Sequence, residues 1–111
     1  NKEINLEYQI SSKIEYIYKE IEKFNHVVII SKYNQTITTL KNVTSDLLLN
    51  KKIDLLLINN LEKITKKKYE GNCLVICMEE FGNSKEDKYF KDVILNLFNQ
   101  NKIIMLNSIF S

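Results

Sequence analysis

The residues able to do chemistry are few and scattered. They are Cys73 and Cys77, the single histidine His26, the adjacent pair Glu79-Glu80, Asp54 at the head of an apolar run, Ser11-Ser12, and the basic run Lys66-Lys67-Lys68. A cysteine can be a nucleophile, a redox centre or a metal ligand. Here both lie in "NCLVICMEE", which reads as a strand. Residues four apart on one strand are separated by about 13 Å, whereas a disulfide needs Cα atoms within about 7 Å. The pair therefore reads as two reduced core thiols of a cytosolic protein. A metal or redox role would need further ligands, and His26 is the only histidine. His26 heads "HVVIIS" with no Asp, Ser or Cys beside it in sequence, so a structural role outweighs a catalytic one. Glu79-Glu80 could bind a cation or do acid–base work, but a solvated loop mouth is the simpler reading. Ser11-Ser12, at a predicted helix start, could meet an anion or simply cap the helix. Asp54 stands where a carboxylate could reach water or loop amides. Lys66–Lys68 reads as a solvated loop, with a nucleic-acid patch as the alternative. All sixteen basic residues are Lys, and Arg is the better residue for bidentate recognition of bases and phosphates. With two glycines in the chain, the Gly-rich dinucleotide fingerprint and the P-loop are both excluded.

The elements that must position these residues come from a chain of 111 residues, enough for one domain with one core. Hydrophobic residues make up 44% and charged residues 27%, ordinary for a soluble globular protein, and the net charge of +2 is close to neutral. No apolar run approaches the ~20 residues of a membrane span, and no signal peptide is evident. The chain opens Asn1-Lys2-Glu3 rather than with Met and reads as an excised domain.

Ile10, Ile14, Ile17, Ile21 and Phe24 recur at helical steps, predicting a helix over 10–24. Ser12 and Glu15 fit a capping box at its start. Before it, Ile4, Leu6 and Tyr8 alternate in "EINLEYQ" and suggest a strand with one covered face. "HVVIIS", 26–31, is β-branched and apolar, a buried strand. Leu40, Val43 and Leu47 predict a helix from about 39 to 49, although the threonines around them lower its propensity. Ile53 and Leu55–Ile58 form an apolar run with both faces greasy, as in a parallel strand covered on both sides. Asn59-Asn60 mark its exit. "CLVICM", 73–78, is a second doubly buried run. Ser84 with Asp87 can cap a helix carrying Phe90, Val93, Ile94, Leu97 and Phe98, and "KIIML" supplies a last strand. The order β-α-β-α-β-(turn)-β-α-β predicts one three-layer α/β domain, its mainly parallel sheet of four to five strands flanked by helices.

In length, strand–helix order and two local patterns the chain resembles the PTS EIIB domain of the sugar phosphotransferase system. More narrowly, it looks like the degenerate EIIB-like domain at the C-terminus of Mga/AtxA-type virulence transcription regulators. "IDLLLINN" stands where that family has an Asp-headed apolar strand, and "CLVICMEEFGNSKEDKYFKDVILNLF" where it has an apolar strand, a polar loop and a helix opened by an acid, here Asp87. A true carrier of that family accepts phosphate on a Cys or His in the loop after its first strand. The corresponding loop here is Tyr8–Ser12, which has neither. The resemblance thus implies a non-catalytic regulatory or dimerisation domain of a cytoplasmic bacterial transcription regulator. It implies no cofactor or metal, a homodimer as partner, no membrane, and DNA contact only through domains outside this chain. Tyr16, Ile37, Ile109 and Phe110 are candidates for an exposed apolar contact patch. Two other readings stay open: a phosphocarrier using His26 or Cys77, and a piece of a larger α/β enzyme whose site lies elsewhere.

Overall fold

A computed structural model describes residues 2–64, 69 and 71–106, with side chains from residue 5 onward. Its elements run α1 (Lys2–Tyr16), α2 (Tyr18–Ile21), β1 (His26–Ser31), α3 (Asn34–Leu47), β2 (Lys52–Leu57), a 3-10 segment η1 (Ile58–Lys63), β3 (Cys73–Cys77), α4 (Lys85–Leu97) and β4 (Lys102–Met105). The four strands form one parallel sheet in the order β2-β1-β3-β4. The predicted α/β class is the one observed.

The central strands explain the layers. Side chains alternate across a strand, so Val27 and Ile29 of β1 join Leu74 and Ile76 of β3 on one face. There they meet Ile10 and Ile14 of α1 and Leu40 and Val43 of α3. Val28 and Ile30 join Cys73, Val75 and Cys77 on the other face, against Phe90, Ile94 and Phe98 around α4 and Leu61 of η1. Every residue of β3 is buried, as a doubly covered parallel strand requires. The crossover through α3 leads from β1 to one edge, and that through α4 leads from β3 to the other. The chain therefore reverses its direction of travel between β1 and β3, and the carboxyl ends of these strands frame the customary crevice of an open α/β sheet.

Several sequence expectations change. Residues 3–9 are not a strand, and the helix predicted over 10–24 starts eight residues earlier, at Lys2, and breaks at Ile17. The alternation counted Tyr8 as apolar, yet Tyr8 is 73% exposed, and the buried stripe is Leu6, Ile10 and Ile14 at steps of four. Ser12 is thus interior to α1 and cannot begin a capping box with Glu15. The third helix begins at Asn34 rather than near 39. Its hydroxyls turn inward to the helix: Thr38, Thr39, Thr44 and Ser45 each donate to the carbonyl four residues back, at 3.1, 2.9, 2.8 and 2.7 Å. Ile37 sits on its inner side at 9% exposure, so it forms no contact patch. β2 is an edge strand, half-buried along 53–57 rather than covered on both sides, and Ile58 belongs to η1. Lys66–Lys68, Ile109 and Phe110 lie outside the described residues.

The cap at Ser84 is as expected: its Oγ accepts the Asp87 N–H at 3.0 Å. Replacing Ser84 by Ala is expected to lower stability by about 1 kcal/mol in urea unfolding. Ser12→Ala, placed mid-helix where Ala has the best propensity, should be neutral or slightly stabilising. A loss at Ser12 as large as that at Ser84 would contradict a continuous α1.

Candidate functional site

Two groups of polar side chains gather at opposite ends of the sheet. At the carboxyl ends, β1 passes into Lys32 and Tyr33, and β3 into Met78, Glu79 and Glu80. A cleft of ≈ 290 Å³ opens there between Lys32, Tyr33, Ile58, Asn59, Asp87 and Phe90. Donors of the kind that hold an anion are present, but the chain's own carboxylates occupy them. Glu79 accepts the Ser31 hydroxyl at 2.8 Å and the Lys32 backbone N–H at 2.7 Å. The Ser31 Oγ in turn accepts the Tyr33 N–H at 3.1 Å. Lys32 Nζ donates to the Glu80 carbonyl at 2.8 Å, pairs with Asp87 at 3.1 Å and lies 4.9 Å from the centre of the Phe81 ring.

Asp87 ties the mouth together. Its second oxygen accepts the Gly82 N–H at 2.6 Å. That bond, then the Lys32 ammonium, holds its carboxyl below the usual aspartate value of 3.8. The approach at Gly82 is close: a Cβ there would come within 3.3 Å of the same oxygen. The β3–α4 loop is thereby locked to the β1–α3 loop. Glu79 does not form a cation site with Glu80, because Glu79 turns to β1 while Glu80 is exposed. The role of Lys32 was invisible in sequence, where an isolated Lys after a strand carries no signal.

At the amino ends, His26 Nε2 lies 2.8 Å from Asp54 Oδ2. Asp54 thus finds the histidine of the neighbouring strand as a partner, while its side chain stays 24% exposed. In register, His26 faces Lys52 on β2 and Cys73 on β3, and Asp54 stands opposite Val28. The residues share the α4 face because their strand positions have the same parity. Tyr69 roofs the group, its ring centre 5.8 Å from that of His26 and 5.3 Å from that of Phe98. Burial, then the Asp54 carboxylate, raises the Tyr69 phenol from 10.0 to about 12. The same two causes raise the Cys73 thiol, and burial raises Cys77 from 9.0 to about 12. Both cysteines are free and buried. A thiol pushed upward is a poor nucleophile at neutral pH. So Cys, His and Asp meet here, yet the thiol is deactivated. Sequence proximity hid this group, since its members come from three separate segments.

Ser11 and Ser12, inside α1, reach neither group as a helix start. Among the described residues, no set of three or more His, Cys, Asp and Glu is placed to hold a metal ion, and no helix is long and apolar enough to cross a membrane. Compared with protein-family models, curated proteins and solved structures, the chain matches none.

Two measurements probe this geometry. Glu79→Ala leaves the Ser31 hydroxyl and the Lys32 amide without their acceptor, and a loss of about 1–3 kcal/mol is expected by denaturant unfolding. Unchanged stability would mean that the two loops are not held by this carboxylate. On the alkaline side, unfolded Cys77 and Tyr69 begin to lose protons near their ordinary 9.0 and 10.0, while the folded groups keep them to about 12. The unfolded state then binds fewer protons, so stability present below pH 9 falls as pH rises towards 12. Thermal melts across that range should show the decline, and Cys77→Val should make it shallower. An equal slope in the variant would remove Cys77 from the account.

Proposed function

We propose that this chain is a non-catalytic regulatory and dimerisation domain of a cytoplasmic bacterial transcription regulator, of the PTS EIIB-like kind without a phosphoacceptor. The observation that carries the reading is the self-occupied crevice. Transfer of a phosphoryl group needs a nucleophile presented to free donors that stabilise developing charge. At the carboxyl end of β1, the Lys32 amide and Ser31 hydroxyl already serve Glu79, and the Gly82 amide serves Asp87. The loop after the first strand is Lys32-Tyr33, not Tyr8–Ser12, and it too contains no Cys or His. The reading of a carrier without its acceptor is thus supported at this loop by the same lack of Cys and His.

The phosphocarrier alternative finds little support in its named residues. Cys77 is 1% exposed with a raised thiol, and His26 lies at the opposite end of the sheet, paired with Asp54. DNA recognition in this reading comes from other domains of the regulator, and the contribution of this one is contact between copies.

Two assays test it. Light scattering is expected to show concentration-dependent association of the chain. Intact-mass measurement after incubation with phosphoenolpyruvate and the general phosphotransferase proteins is expected to show no added phosphate. A phosphorylated chain, or a strict monomer at high concentration, would overturn the reading.

A further inference from the structure

The strand β2 is at odds with its position. Its residues Ile53, Leu55 and Leu57 make one face wholly apolar, and Leu56 adds a fourth apolar side chain beside Lys52 and Asp54 on the other, yet the strand stands at the sheet edge, half-buried from Ile53 onward. Natural edges are usually blunted by charged side chains, a Pro, a bulge or a covering element. β2 carries Lys only at its first position, its one central charge is Asp54, which His26 engages at 2.8 Å, and the chain has no Pro. Among the described residues, β1 is its only neighbouring strand.

The backbone shows which groups are turned outward. The Lys52 amide donates to the Asn25 carbonyl at 2.9 Å, so Lys52 faces β1. Bonding groups of a strand alternate between its two sides. Asp54 and Leu56 therefore also turn to β1, while Ile53, Leu55 and Leu57 turn their N–H groups away from it.

Resting on the dimerisation reading above, we propose that β2 is the contact strand, pairing antiparallel with β2 of a second copy about a two-fold axis through Leu55. A two-fold contact must use the same surface on both copies, and β2 suits this. Leu55 faces its own copy and exchanges both backbone bonds with it. Ile53 faces Leu57, so the outward amides of all three residues find acceptors. On that face of the sheet the residues meeting are all apolar. On the other, Leu56 meets Asp54, the one carboxylate whose charge the second copy approaches, and His26 already engages it at 2.8 Å. A six-residue strand is about 20 Å long, and such an edge strip falls short of the ~1,000 Å² of a stable interface. The association is accordingly weak and concentration-dependent, a contact that neighbouring domains of a longer regulator would reinforce through effective concentration.

The test uses the unaltered chain. Amide exchange is followed residue by residue at low and high concentration, with light scattering alongside. Association is expected together with slowing on the order of tenfold at the Ile53, Leu55 and Leu57 amides, against little change at Lys52, Asp54 and Leu56, whose amides are bonded in either state. Association with those three amides still exchanging freely would overturn the β2 contact and leave the dimerisation reading standing. A monomer at every concentration would overturn both. A second arm reads the register. Leu55→Lys and Leu55→Glu should each abolish self-association by placing like charges face to face, and mixing them should restore a heterodimer. Folding of both variants is checked first by circular dichroism; folded variants that still self-associate would overturn the two-fold at Leu55.

Discussion

Everything in this molecule depends on β1 and β3 being covered on both faces. Their side chains feed two cores at once, one with α1 and α3 and one with α4 and η1. Burial at about 25 cal/mol per Å² of apolar surface makes this the dominant favourable term in the fold. It also dictates where polar groups can go. A doubly covered strand has no solvated side, so its titratable neighbours are driven to the two ends.

The two ends then diverge. At the amino ends the His26–Asp54 pair sits beneath Tyr69, with the Cys73 thiol alongside. Burial there raises the thiol and the phenol, which favours their protonated forms. At the carboxyl ends the Lys32 and Gly82 amides donate to Glu79 and Asp87. A carboxylate supplied by the chain is always present at its donors, so an external anion would have to displace it and break the tie between the two loops. At this end of the sheet these carboxylates join the β1–α3 and β3–α4 loops.

The legible part of the fold was the part written in local pattern. The apolar runs at 26–31 and 73–78, the stripe Phe90–Phe98 and the cap at Ser84 all stand where periodicity and turn chemistry put them. Misreadings arose where a pattern was ambiguous. Ile4, Leu6 and Tyr8 fit a period of two, while Leu6, Ile10 and Ile14 fit a period of four, and Tyr8 was the residue that misled because tyrosine serves equally on a surface. The run Leu55–Ile58 matched a central strand, but whether a strand is central depends on the order of the sheet, which a local window does not contain.

The sequence by itself determined the parallel α/β class, the burial of the strands at 26–31 and 73–77 and the helix start at Ser84, because each follows from the spacing of apolar residues or from a bond between residues three apart. Only the tertiary structure decided that β2 lies at an edge, that His26 meets Asp54, and that Glu79 meets Ser31 and Lys32. Those contacts join residues 28, 48 and 47 positions apart. They are set by strand order and register, which are properties of the packed sheet rather than of any segment read alone.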